Sequence, residues 1–197
     1  TALSVSAEVA AHLTGRGFIT NRVDGRWLGS AQGRQAAAVA HLFALQEHHG
    51  FGVYLPFPPP SVRCEAKVNS LGCLPAIHWT GSPTLSGADD FHITASGVVS
   101  NQPGLLFWGR EAQEVPFAGG MLCARPPLVR QAAVHSGGGV TPSCAGAFHA
   151  VFSQAAMVSN GLVPGTTIHA QFWYRDPAHP DGTGIGMTDA LEAVIGI

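Results

Sequence analysis

Charged side chains are scarce in this chain, and lysine is nearly absent. Asp, Glu, Lys and Arg make up 11% of the 197 residues, whereas average globular domains contain about 25%. Lys67 is the only lysine, and the formal net charge is −2. Because nucleic-acid-binding proteins present a basic patch to the phosphates, this composition predicts that the protein has no nucleic-acid partner.

Long apolar runs and catalytic motifs are also missing. The longest strongly apolar stretch, residues 36–45, is far shorter than the roughly 20 residues that a membrane-spanning helix needs. The chain contains no G-x-S-x-G, no H-E-x-x-H, no P-loop and no C-x₂₋₄-C spacing for zinc. We therefore predict no membrane span, no enzymatic activity and no obligatory cofactor.

Residues 1–60 differ in pattern from the rest of the chain and are interpreted as an N-terminal extension. The stretch QAAAVAHLFALQEHH, followed by Gly50, predicts one helix over about 35–49. Its apolar residues surround nearly the whole helix, so we expect it to pack against other protein. Four prolines within 55–60 predict a stiff, extended linker.

Residues 61–197 contain short strand-like runs separated by Gly and Pro. Apolar and polar residues alternate in Asp90–Ala95 and in Thr166–Tyr174, as expected for strands that bury one face. Leu105–Trp108 is apolar throughout. Several such runs in sequence predict a mainly β domain, built as a two-sheet β-sandwich of the jelly-roll type.

Three blocks of this second region carry a resemblance to a known family. They read CEAKVNSLGC from Cys64, NQPGLLFWG from Asn101 and QFWYRDP from Gln171. Together they resemble a C-terminal domain of unknown function in large exported proteins of environmental bacteria. In that family C-x-x-K-x-N-S-x-G-C, N-x-P-G-L-L-F-x-G and Q-[FY]-W-x-R-D-P occur in the same order. The resemblance implies a secreted or cell-surface location and carries no catalytic residues.

The four cysteines predict a disulfide-stapled domain from an oxidising compartment, which agrees with that implied location. Cys64 and Cys73 lie close together in sequence, as do Cys123 and Cys144. Three pairings of four cysteines are possible, and we expect the local one, Cys64–Cys73 with Cys123–Cys144. Because the sequence starts at Thr1 rather than Met, we also expect removal of an N-terminal segment during export.

A candidate ligand-binding face lies on the predicted strand Thr166–Tyr174. His169, Gln171 and Trp173 alternate with the apolar residues of this strand and so share one face. An outward Trp173 with polar neighbours is the arrangement that stacks on sugar rings. The ordinary alternative is that aromatic side chains in strands belong to the core.

Two weaker patterns suggest metal sites. Asp176 and Asp181 flank a polar turn, and their carboxylates could bind Ca²⁺ together with loop carbonyls, although the spacing is not that of an EF-hand. His92, His149 and His169 each lie on the polar face of a predicted strand and would converge if those strands were neighbours. The alternative is that these histidines simply occupy outward positions of a sheet.

Together these patterns predict a non-catalytic, exported structural or adhesive module. Low charge favours close packing between subunits, so we expect a homo-oligomer or docking into a larger surface assembly. The alternative is a carbohydrate-binding module that takes a polysaccharide on the face of His169, Gln171 and Trp173.

Overall fold

A computed structural model describes residues 57–197 together with Arg34 and His41. Except for His41, the predicted helix over 35–49 lies outside the described residues, as do residues 55 and 56 of the predicted 55–60 linker. Within the described part, Pro58–Gly196 forms one compact unit. The expected mainly β class is confirmed, because strands of several antiparallel sheets make up most of the regular structure in this unit.

Within residues 57–197, eleven strands and one short helix follow one another. The strands are β1 (Ser61–Arg63), β2 (Ala76–Thr80), β3 (His92–Val98), β4 (Pro103–Gly109), β5 (Ala112–Phe117), β6 (Gly120–Ala124), β7 (Val129–Arg130), β8 (Val134–His135), β9 (Gly146–Val151), β10 (Thr167–Arg175) and β11 (Ile185–Val194). The helix α1 (Gln154–Ser159) begins after Ser153, whose side chain accepts a hydrogen bond from the Ala156 N–H as an N-cap.

The strands form three antiparallel groups. The main sheet has the order β1-β11-β10-β4, and both β7 and β8 pair with the remaining edge of β4. The second sheet has the order β2-β3-β9, and β5 pairs with β6 as a separate hairpin. β10 and β11 are thus central strands of the main sheet, which agrees with their length and apolar character.

The core lies between the main sheet and the second sheet. Alternate residues of β10, namely Ile168, Ala170, Phe172 and Tyr174, are fully buried there. They meet Ile77, Ile93 and Phe148 from the second sheet. The Phe148 and Phe172 rings stack with centroids 5.5 Å apart. The alternation of apolar and polar residues in β10 predicts this packing of one sheet face against a second sheet.

The opposite face of the main sheet is covered by the β5–β6 hairpin and the segment that follows it. Phe107, Met187 and Ala124 are buried in this second, smaller apolar cluster. β4 and β10 are therefore covered on both faces, which explains why Leu105–Trp108 is apolar without alternation. The two-sheet arrangement expected from the sequence gains a third layer.

The predicted local pairing of the cysteines is wrong. Cys64 forms a disulfide with Cys123, and Cys73 forms one with Cys144. Asn69 organises the loop between Cys64 and Cys73, because its Oδ1 accepts hydrogen bonds from the Leu71 and Cys73 N–H groups and its Nδ2 donates to the Gly97 carbonyl. Cys64 and Cys73, at the two ends of that loop, therefore form disulfides with different parts of the chain.

Each disulfide therefore joins parts of the chain that are distant in sequence. The separations are 59 and 71 residues, and by the chain-entropy model loops of that length stabilise the fold by about 4 kcal/mol each. Cys123 lies in β6, so the Cys64–Cys123 bond also fixes the hairpin to the edge of the main sheet.

Candidate binding pocket

A pocket lies between the main sheet and the β5–β6 hairpin, on the outer face of the sandwich. Its volume is about 430 Å³, which is within the 300–1,000 Å³ typical of small-molecule sites. The lining is apolar except for one cation, and it consists of Leu105, Phe107, Phe117, Leu122, Pro126, Leu128, Arg130, Trp173 and Met187. An arrangement of this kind favours an apolar group of a ligand.

The register of β4, β7 and β10 shows which residues form the floor of the pocket. Trp173 of β10 lies opposite Leu105 of β4, and Phe107 of β4 lies opposite Arg130 of β7. Residues directly opposite each other in neighbouring strands point to the same face. The floor residues Leu105 and Phe107 are therefore flanked on one side by an indole and on the other by a guanidinium.

Gln171 lies between β10 and β6, outside the pocket lining, and is fully buried. Its Oε1 accepts a hydrogen bond from the Cys123 N–H at 3.2 Å, and its Nε2 donates to the Met121 carbonyl at 3.0 Å and the Thr188 carbonyl at 2.7 Å. These bonds tie the hairpin to the main sheet. The expectation that Gln171 lies on an open binding face is wrong, because its amide is consumed by the protein itself.

His169 is also buried, with 7% of its surface exposed. Its Nδ1 lies 3.6 Å from Glu192 Oε2, and the same carboxylate oxygen accepts from Arg63 Nη1 at 2.5 Å. Burial lowers the pKa of His169, and the attraction of Glu192 opposes this shift. The imidazole is consequently neutral at neutral pH, and it is not available to an external ligand.

Trp173 alone among the three predicted ligand residues contacts the pocket. It is half-buried, and its ring forms part of the lining. The guanidinium carbon of Arg175 lies 5.2 Å from the centroid of the indole, within the range of a cation–π contact. The neighbours of Trp173 differ from the expected polar ones, since they are apolar side chains and arginine.

Arg130 is the one charged residue in the lining, and it is exposed. In the part of the chain that the structure describes, no carboxylate forms an ion pair with Arg130 or with Arg175. By contrast, Arg125 Nη1 is 2.8 Å from Glu111 Oε2. Two uncompensated cations therefore flank the pocket floor, one on β7 and one on β10.

Asp181, one of the two predicted calcium ligands, pairs with the only lysine. Lys67 is buried, and its Nζ contacts Asp181 Oδ2 at 2.6 Å. It also donates to the carbonyls of Ala118 and Ile185 and to Thr183 Oγ1, at 2.7, 2.8 and 2.9 Å respectively. The ammonium group holds the pKa of Asp181 well below its usual range. Lys67 thus joins the β5–β6 turn to the loop before β11.

Asp176, the other predicted calcium ligand, is buried at the end of β10. Its Oδ2 accepts a hydrogen bond from the Ser70 N–H at 2.7 Å, and its Oδ1 has no hydrogen-bond partner. The buried Tyr174 hydroxyl likewise has none, and burial together with the charge of Asp176 raises the pKa of Tyr174. Among residues 57–197, Arg34 and His41, no three His, Cys, Asp or Glu side chains are grouped to hold a metal ion.

The three strand histidines do not converge. His92 and His149 lie on neighbouring strands of the second sheet, and their rings stack with centroids 4.9 Å apart. His169 lies on the main sheet. Nδ1 of His92 is buried without a hydrogen-bond partner, whereas a ligating histidine ordinarily donates its second N–H to an acceptor. This pair therefore lacks the support typical of a metal site.

Comparison with known proteins adds no assignment. The chain matches no protein-family model and no curated protein. In the described residues there is also no helix with the length and apolar character needed to cross a membrane. The interpretation of the pocket therefore depends on its own geometry.

Sequence reasoning missed most of the pocket. Phe117, Leu122, Leu128 and Met187 come from separate strands and a loop, and nothing in their local sequence marks them as neighbours. The one available signal was Lys67, because a single lysine in a chain that otherwise uses arginine suggests a specific buried partner. Lys67 holds the turn of the hairpin that covers the pocket, so this signal points to the cover and not to the lining.

Proposed function

We propose that the described domain is a non-catalytic, exported adhesive module that holds an apolar group of its ligand in the pocket beneath the β5–β6 hairpin. The observation that carries the proposal is the cavity of about 430 Å³ with a nearly continuous apolar lining. Aromatic rings and aliphatic chains gain free energy on entering such a site, because apolar surface leaves water.

Export is supported by the two disulfides and by the resemblance of the Cys64, Asn101 and Gln171 blocks to domains of exported proteins. Disulfides persist in oxidising compartments. A non-catalytic role is supported by the lining, which offers no carboxylate, imidazole, thiol or hydroxyl to act as a nucleophile or general base.

The same lining argues against sugar as the pocket's occupant. A monosaccharide carries several hydroxyl groups, and each needs a hydrogen-bond partner when it is buried. In the lining only Arg130 and the Trp173 indole N–H are side-chain donors. His169 and Gln171, the polar residues of the carbohydrate-binding alternative, are buried and committed to Glu192 and to the hairpin.

The test is a titration with N-phenyl-1-naphthylamine, a neutral aromatic dye that fluoresces in apolar surroundings. We expect one saturable site per chain in the wild type. Phe117→Ala removes an aromatic side chain from the lining and should weaken binding about tenfold, as expected for the loss of one well-packed aromatic contact. Val115→Ala is the matched control, since Val115 lies on the same strand, is similarly exposed and is absent from the lining.

Equal binding by the wild type and by Phe117→Ala would show that the dye binds elsewhere, and it would overturn the proposal. If Phe117→Ala and Val115→Ala weaken dye binding to the same extent, the substitutions act through the stability of the hairpin. Circular dichroism of each variant then separates loss of the pocket from loss of the fold.

Self-assembly is a second candidate function, and one surface feature favours it. Val68, Leu71 and Leu74 expose 51%, 42% and 62% of their surfaces on the loop that both disulfides anchor. Exposed apolar side chains on a rigid loop are typical of protein–protein contacts. Light scattering across concentrations tests this candidate: Leu74→Asp should lower the mass of any assembly, whereas Val140→Asp, which alters a still more exposed valine on another loop, should not.

A further inference from the structure

Two arginines without carboxylate partners in the described residues flank the floor of an otherwise apolar pocket. Arg130 forms part of the lining and lies opposite Phe107 in the register of β4 and β7. Arg175 lies over the Trp173 indole on β10, on the other side of β4. The cations at Lys67, Arg63 and Arg125 are all paired with carboxylates.

We propose that the pocket's ligand is an amphiphile with an apolar chain or ring and an anionic head group, whose negative charge is held by Arg130, while Arg175 adds positive charge on the far side of Trp173. This inference rests on the proposed function of the pocket and adds the chemical class of the ligand. The apolar part lies over Leu105 and Phe107, and the head group lies beside Arg130, whose side chain is exposed.

The charge distribution argues for an anion. A guanidinium group presents several N–H donors in one plane and binds carboxylate, sulfate or phosphate oxygens by paired hydrogen bonds. A cationic amphiphile would place its charge beside two arginines, which is unfavourable. A neutral amphiphile would gain only the apolar contribution. The three ligand classes are therefore expected to bind in the order anionic, neutral, cationic.

The recessed form of the pocket argues for a free amphiphile rather than a membrane surface. The main sheet forms the floor, Phe117 and Leu122 of the hairpin cover it, and Pro126 and Leu128 form a side wall. A recess of this kind accepts a single chain. Of the large exposed apolar residues within 57–197, Phe117 alone belongs to the lining, so the pocket's rim offers little apolar surface for insertion into a bilayer.

The experiment compares three ten-carbon probes below their micellar concentrations by isothermal titration calorimetry: decanoate, decanol and decyltrimethylammonium. We expect decanoate to bind about tenfold more tightly than decanol, which corresponds to about 1.4 kcal/mol, and decyltrimethylammonium to bind most weakly. Added salt should narrow the difference, because these charges are exposed and are screened.

Arg130→Gln should remove most of the difference in affinity between decanoate and decanol and leave the affinity for decanol unchanged. Arg175→Gln should have a smaller effect in the same direction. Arg110→Gln is the charge-matched control, since Arg110 is exposed and donates to the carbonyls of Asn160 and Gly161 outside the pocket. All three arginines are exposed, so these variants are expected to fold.

Each outcome is informative. Equal binding of the three probes would overturn the anionic preference and leave the proposed function intact. Absence of binding by every probe and by the neutral dye would overturn both. Stronger binding to phosphatidylglycerol vesicles than to phosphatidylcholine vesicles, together with no binding of monomeric decanoate, would replace the free amphiphile with a membrane surface and would also overturn the inference.

Discussion

The two faces of β10 show how one strand can serve two purposes. On the inner face, Ile168, Ala170, Phe172 and Tyr174 are fully buried against the second sheet. On the outer face, Gln171 binds the hairpin's backbone, and Trp173 faces a cavity. The inner face holds the domain together. The outer face is covered by a hairpin that leaves a pocket over part of the sheet.

The difference arises from how each cover is attached. The second sheet is attached by a large cluster of interdigitated apolar side chains. The hairpin is attached by a smaller apolar cluster, by the Gln171 hydrogen bonds, by the Lys67 contacts and by the Cys64–Cys123 disulfide. This smaller cluster leaves the pocket unfilled. We therefore expect changes to the inner face to affect stability and changes to the outer face to affect binding.

The largest effect is expected from the inner face. Phe172→Ala removes a fully buried ring that stacks on Phe148, and it should lower the free energy of unfolding by about 3–5 kcal/mol. Phe117→Ala, on the outer face, should lower it by less than about 1 kcal/mol, because Phe117 is 45% exposed. Urea denaturation measures both. Similar losses for the two variants would contradict the division between the faces.

The next largest effect concerns the disulfide that fixes the hairpin. Replacing Cys64 and Cys123 by serine should lower the free energy of unfolding by about 4 kcal/mol and should abolish dye binding even where the domain stays folded. Replacing Cys73 and Cys144 should lower stability similarly and preserve dye binding, since neither residue belongs to the hairpin's strands or to the pocket lining. Peptide mapping under non-reducing conditions should recover Cys64 with Cys123; recovery of Cys64 with Cys73 would contradict the structure.

The smallest expected effect is the pH dependence of the Lys67–Asp181 pair. The pKa of Asp181 is lower in the folded protein than in the unfolded chain, so the folded state binds fewer protons there. The stabilisation is complete above the unfolded pKa of about 4 and is lost as the pH falls through the folded value. In the Asp181→Asn variant, the loss of folding stability that comes from protonation of Asp181 at low pH should be absent. An unchanged pH profile in thermal unfolding would show that the pair does not contribute.

The sequence predicted the inner face well and the outer face poorly, and the reason is physical. Alternation in β10 reports which residues share a face, so Phe172 and Tyr174 were predicted to lie together. It does not report what covers the other face. The polar residues His169 and Gln171 suggested solvent, whereas the cover is a hairpin from residues 112–124, distant in sequence.

The cysteines were mispaired for a related reason. Short loops close at the lowest entropic cost, which favoured Cys64 with Cys73. In the folded chain Asn69 fixes the Cys73 end of that loop by its hydrogen bonds, and each cysteine pairs with one that is distant in sequence. Pairing is thus decided by tertiary structure, and no spacing rule expresses it.

The most direct test compares two tryptophans of the same protein. In ¹H–¹⁵N spectra, assigned with Trp108→Phe and Trp173→Phe, decanoate should shift the indole N–H signal of Trp173, which lines the pocket, in a saturable way. The signal of Trp108, which is 3% exposed within the inner core, should stay in place. Saturable movement of the Trp173 signal alone is the predicted result. A stationary Trp173 signal, or equal movement of both signals, would contradict the assignment of binding to the outer face.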